Sequence, residues 1–172
     1  MLSKTTRWLA DHSYHVSVVA RDSRKMERLI NQSNQPSNIT PLLVDYSNTL
    51  KLKCSIDSTI GKNGPIDLVI AWIHSYAEHA LHTISQIVSK DSEQWKLVHI
   101  LGSSSDLEVV KNRVTIGENC SYHQVQLGFK IENSQSRWLT NDEIADGVIE
   151  MLKGEIPVAV VIGQMDPWEE HR

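Results

Sequence analysis

Six short apolar runs, with helical stretches between most of them, constrain the fold of this chain more than any other feature. They are HVSVVAR (15–21), ITPLLVD (39–45), IDLVIAWIH (66–74), KLVHILGSS (96–104), YHQVQLGFKI (122–131) and PVAVVIG (157–163). The third and fourth are continuously apolar instead of alternating, as strands covered on both faces require. Strand and helix in alternation read as βαβ units, and so as a parallel sheet with right-handed connections.

The intervening segments support this. Residues 2–11 carry Leu2, Thr5, Trp8 and Leu9 at helical spacing. Ser23 is placed to cap a helix over 24–32, with Met26, Leu29 and Ile30 on one face. A weaker helical pattern covers 47–60, and 76–89 aligns Ala77, Ala80, Leu81, Ile84, Ile87 and Val88 on one stripe. Thr140 and Glu143 form a capping box ahead of Ile144, Val148, Ile149 and Leu152. Residues 105–121 are the least regular internal stretch. Gly128 reads as a sheet irregularity, and Arg137 with Trp138 as an anchor at the approach to the last helix. The expected architecture is α/β, a three-layer Rossmann-like doubly wound and mostly parallel sheet over 1–163, with 164–172 as a tail.

The first helix runs straight into 15–21, with no strand ahead of it. In a doubly wound sheet that position is the second half of a strand–turn–helix–strand unit, and the first strand is central. The expectation is therefore a sheet lacking its first strand, with a native polypeptide that begins about ten residues earlier. Otherwise the gap is closed by pairing of the neighbours, by a partner chain or by rearrangement.

Composition sets the outer limits. With 172 residues and 40% hydrophobic content, one sizeable core is the natural outcome. The 17 basic and 21 acidic residues are interspersed, so no basic stripe points to nucleic acid. The longest apolar runs, 68–73 and 158–162, are too short to span a bilayer, and 1–11 does not resemble a secretory signal. The cytoplasm is the default, and the isolated Cys54 and Cys120 suit a reducing compartment.

The order of elements, RWLADHSYHVSVVARD (7–22), the Asp ending LLVD, the IDLVIAWIH strand and HILGSSS (99–105) together resemble the short-chain dehydrogenases/reductases, specifically their small atypical bacterial members. The resemblance covers most of the chain. In that family a glycine-rich turn stands just before a segment like MLSKTTRWL, and this chain has none. The resemblance implies a nicotinamide dinucleotide at the C-terminal ends of the strands. Arg21 stands where an Arg pairs with a 2′-phosphate, which favours NADP over NAD; Ser23 is placed to assist, while Asp22 weakens the preference. Asp45 is implied at the adenine edge, its alternative being a turn leading into YSN. Ala71 and Trp72, in AWIH, replace the usual Asn-Ala-Gly turn at the cofactor floor.

Catalysis in this family uses a Ser, a Tyr and a Lys four residues after the Tyr. Ser103 matches the serine region, and the Tyr downstream of it is Tyr122, four residues before Gln126. A neutral amide cannot lower a phenol pKa as an ammonium does. The candidate catalytic set is Ser103, Tyr122 and His74, the last as a proton donor or else a His bonded to backbone. His74, Glu78, His79 and His82 cluster locally, but their bland reading is a solvated helix face, and no metal is assigned. The implied function is an NADP(H)-binding oxidoreductase with a non-standard or lost Tyr–Lys pair. The alternatives are a non-catalytic dinucleotide-binding or sensor protein, or a truncated remnant stabilised by self-association as a homo-oligomer.

Overall fold

A computed structural model describes residues 1–166 of the chain. Among the described residues six α-helices and eight strands form in the order α1 (Ser3–Asp11), β1 (Val16–Ala20), α2 (Ser23–Asn31), β2 (Ile39–Leu43), α3 (Thr49–Asn63), β3 (Leu68–Ala71), α4 (Glu78–Asp91), β4 (Trp95–Leu101), α5 (Leu107–Arg113), β5 (Cys120–Leu127), β6 (Phe129–Glu132), β7 (Gln135–Trp138), α6 (Asn141–Leu152) and β8 (Ala159–Ile162). The layers are those of the expected doubly wound α/β architecture. Of the anticipated tail, residues 167–172 lie outside the described residues.

The central sheet is divided. β1 pairs with β2 in parallel, and β3, β4, β5 and β8 form a separate parallel sheet in that order. No ladder joins β1 to β3 among the described residues. In the doubly wound order these two strands are not neighbours, so the division between them accords with that order. Every residue of β1 is only half-buried, unlike the almost continuously buried β4.

Helices hold the two parts together. On one face α1 packs on α6, with Lys4 Nζ 2.6 Å from Asp146 Oδ1. Beneath them Val98, Ile100, Val125, Leu127, Ile144 and Val148 form a core that also takes in Met1, Leu2, Leu68 and Ile70. On the other face α3 packs on α4 over Val44, Leu52, Ile56, Ala80 and Ile87, and Val19 of β1 meets this cluster together with Ile66 and Ile73 beside β3. A third cluster, with Trp95, Leu97, Ala71, Leu81 and Val88, lies between α4 and the centre of the larger sheet.

Three local expectations are corrected. The cap of α2 is Asp22, whose carboxylate accepts from the Lys25 amide, and Ser23 is the first helical residue. The stretch 105–121 contains α5, capped by Asp106. The run 122–131 is two strands: β5 ends at Leu127, and β6 turns off into a hairpin with β7. The cause is Gly128, against which the Gln164 carbonyl closes so tightly that a Cβ would sit 2.1 Å from it. Gly163, with φ +90°, makes the bend that brings Gln164 there.

Arg137 belongs to β7 and also performs the anchoring expected of it. Its guanidinium donates to Glu132 and, through two nitrogens, to Glu143 in the first turn of α6. Glu143 completes the capping box with Thr140, and these donors hold its carboxyl well below the usual carboxylate range.

Candidate functional site

Open parallel sheets place ligands beyond the C-terminal ends of their strands. There, the turns after β1, β2 and β3 enclose a cleft of about 170 Å³ lined by Ala20, Arg21, Val44, Asp45, Tyr46, His74 and Tyr76. Each wall follows from a strand end. Arg21 is the first residue past β1, Asp45 and Tyr46 follow β2, and His74 precedes the short 3-10 turn (Ser75–Ala77) that leads into α4.

Charge in the cleft is unevenly held. Asp45 accepts from the Ser47 hydroxyl at 2.7 Å and from the Ser47 amide at 2.9 Å, and these bonds lower its pKa ahead of any contribution from Arg21. Arg21 approaches Asp45 at only 3.4 Å, and its side chain is 73% exposed. The guanidinium is therefore loosely placed and free to turn toward an anion.

The other walls are aromatic. Tyr46 and Tyr76 stack with centroids 6.3 Å apart, and His74 stacks on Tyr76 at 5.7 Å. Trp72 meets His74 edge-on at 6.2 Å. The His74 amide lies 3.5 Å from the Tyr46 hydroxyl. Burial and the neighbouring Tyr76 raise the pKa of Tyr46, so the phenol stays protonated near neutrality. His79 shares a 3.0 Å hydrogen bond with the Ser47 carbonyl, which ties α4 to the turn after β2.

Of the nucleotide candidates, Arg21 and Asp45 thus meet in one cleft, together with His74. Ala71 is buried behind it, Trp72 packs into the core under α1 and α6, and Asp22 and Ser23 are taken up by the start of α2. Tyr46 and Tyr76, which also line the cleft, are not among the residues the sequence singles out. Tyr46 directly follows Asp45, and Tyr76 lies two residues after His74, so position relative to the strand ends was the available signal.

Ser103 and Tyr122 are not brought together. Tyr122 pairs in register with Leu97, and β4 continues to Leu101 beyond that point, about 13 Å further. The Tyr122 hydroxyl shares a 2.9 Å hydrogen bond with His99 Nδ1, and burial raises the phenol pKa to about 12. Gln126, which holds the position of the usual lysine, donates instead to the carbonyls of Ser103 and Ser105 at 3.1 and 2.8 Å. Gln124 donates to the Leu107 carbonyl at 2.9 Å. These two buried amides pin the segment after β4 against β5.

Among the described residues no cluster of His, Cys, Asp or Glu is arranged to hold a metal ion, and no helix is long and apolar enough to cross a membrane.

No family model matches the sequence, and no curated protein sequence matches it. Solved structures do. A glucose dehydrogenase of Caenorhabditis elegans in the apo form superposes with a TM-score of 0.71 at 11% identity, covering 94% of this chain and 90% of that one. An alcohol dehydrogenase from the archaeon Thermococcus sibiricus, complexed with 5-hydroxy-NADP, gives 0.67 at 13% identity over 94% and 89%. A glucose/ribitol short-chain dehydrogenase/reductase from Brucella melitensis gives 0.68 at 8% identity over 92% and 87%. With helices on both faces of a parallel sheet, and with these neighbours, the chain has the fold of the short-chain dehydrogenases/reductases.

Proposed function

We propose that this protein binds a nicotinamide dinucleotide, NADP(H) in preference to NAD(H), with the adenosine end in the cleft after β1, β2 and β3. The observation that carries this reading is the joining of Arg21 and Asp45 with an aromatic wall at one strand-end cleft. Stacking on Tyr76 and Tyr46 supports a flat base, and the loosely held Arg21 supports a 2′-phosphate. The site would act in the cytoplasm on a small soluble ligand.

The same geometry favours a binding or sensor role over ordinary carbonyl reduction. Tyr122 is held in the sheet by His99, its pKa moved upward where proton transfer requires it lowered. Oxidoreductase chemistry, if present, falls to His74 and Ser103, which both lie past C-terminal strand ends. Thermal-shift titration with NADP and NAD tests the reading. Stabilisation by both, larger with NADP, is the expected result, and no shift with either removes the dinucleotide. Turnover of NADPH against a panel of carbonyl compounds separates the oxidoreductase from the sensor.

A further inference from the structure

The cleft has a charged wall and an aromatic wall, and no ladder runs directly between the strands that carry them. Asp45 and Tyr46 follow β2, which pairs with β1, whereas His74 and Tyr76 follow β3, which pairs with β4. The spacing of the walls therefore depends on contacts between the two turns. The Tyr46–Tyr76 stack crosses with centroids 6.3 Å apart, and the His74 amide lies 3.5 Å from the Tyr46 hydroxyl. Both are long. A shorter tie is made by His79, whose Nε2 lies 3.0 Å from the Ser47 carbonyl oxygen.

A carbonyl oxygen only accepts, so Nε2 carries the proton and donates. The residue it holds is the one that fixes Asp45. The Ser47 amide and hydroxyl both donate to Asp45 Oδ1, at 2.9 and 2.7 Å, and the Asp45 carbonyl closes the same turn by accepting from the Asn48 amide at 2.9 Å. Ser47 is gripped on both sides, its carbonyl by α4 and its donors by Asp45. His79 is itself well founded. It stands in the first turn of α4, two residues after the buried Ala77 that seats the turn bearing Tyr76, and its own carbonyl accepts from the Thr83 hydroxyl at 3.1 Å.

We infer that His79 is a positioning residue of the cleft: its Nε2–H holds the Ser47 carbonyl, and so fixes Asp45 and the spacing of the charged wall from the aromatic one. For the identity of the ligand this rests on the proposed dinucleotide site; the tie itself does not. His79 acts through Ser47 and serves a part of the cleft common to both dinucleotides, so it affects NADP and NAD alike, where Arg21 separates them.

The test compares the intact chain with its His79→Ala and His79→Gln variants. Gln presents an N–H at a reach close to that of Nε2 and so restores the tie without the ring. Amide exchange is read by NMR in nucleotide-free buffer, and affinity by calorimetric titration. In His79→Ala the Ser47 amide should exchange roughly tenfold faster, and His79→Gln should bring it back. The Lys25 amide, bonded to the Asp22 carboxylate in the same way but at the start of α2, should not change in either variant. NADP and NAD should each bind His79→Ala roughly fivefold more weakly, the scale of one net hydrogen bond, and bind His79→Gln as they do the unaltered chain.

A Ser47 amide that exchanges alike in the unaltered chain and both variants overturns the inference. So does a His79→Gln chain that behaves as His79→Ala does, because the imidazole would then act by packing and not by its N–H. Unchanged affinity for both nucleotides once Ser47 is released overturns it as well, as does weakening of NADP alone, which would make His79 a phosphate contact. If Ser47 responds as expected while neither nucleotide binds the unaltered chain, the tie stands and the dinucleotide reading falls.

Discussion

The Tyr122 hydroxyl lies 2.9 Å from His99 Nδ1, and the pair sits inside the sheet, away from the strand ends where a substrate would bind. Tyr122→Phe should therefore leave any dinucleotide-dependent reduction unchanged. It should lower stability by about 1 kcal/mol, because one hydrogen bond is lost and a buried imidazole nitrogen is left without its partner. Chemical denaturation and an NADPH oxidation assay on the same preparation check both parts. Loss of turnover at unchanged stability would return Tyr122 to the catalytic set.

His99 should also give the fold a defined acid sensitivity. Burial lowers its pKa to about 4, whereas in the unfolded chain it takes up a proton near 6.5. Between these values the unfolded state binds more protons, so stability falls as pH drops from about 6.5 toward 4, by on the order of 3 kcal/mol in all. Above 6.5 the group contributes no pH dependence. His99→Gln should flatten the stability profile in this window relative to the unaltered chain, as unfolding free energies measured at half-unit pH intervals would show.

The sequence made the parts governed by local rules legible. Apolar runs at βαβ spacing identified the strands, and the Thr140–Glu143 box marked the start of α6, because both signals are complete within a few residues. What escaped depended on distant chain. The run 122–131 continues without a local stop after Gly128, and only the return of Gln164 ends β5 there. Asp22 and Ser23 are both good caps, and the choice rests on which side chain meets the Lys25 amide. Arg21, Asp45 and His74 were legible as strand-end residues. Gln126 was not legible as the clamp on Ser103 and Ser105, because its partners lie on the neighbouring strand's exit.

Two glycines should respond oppositely to alanine. At Gly128 the added Cβ would meet the Gln164 backbone carbonyl, which cannot move without opening the bonds between Phe129 and Gln164, so Gly128→Ala should cost about 3 kcal/mol. Gly61 lies within α3 with no atom near its Cβ position, so Gly61→Ala should stabilise by about 0.5–1 kcal/mol through helix propensity. Thermal melting of the two variants against the unaltered chain decides the signs. A destabilised Gly61→Ala would place another contact on that face of α3.

Arg21 offers the sharpest separation between the two dinucleotides. Its contact with Asp45 is long and exposed, so removing it should barely change the stability of the fold. Removing it takes away the cation placed for a 2′-phosphate while leaving Asp45 in its Ser47 bonds, able to accept from a ribose hydroxyl. Arg21→Ala should then weaken NADP by about tenfold, the scale of one charge-assisted contact, and leave NAD within about twofold. Tyr76→Leu, which removes the stacking surface shared by both ligands, should weaken the two equally. Calorimetric titration of both variants with both nucleotides gives four ratios. Equal losses for NADP and NAD in Arg21→Ala would mean that Arg21 is not the residue that reads the phosphate.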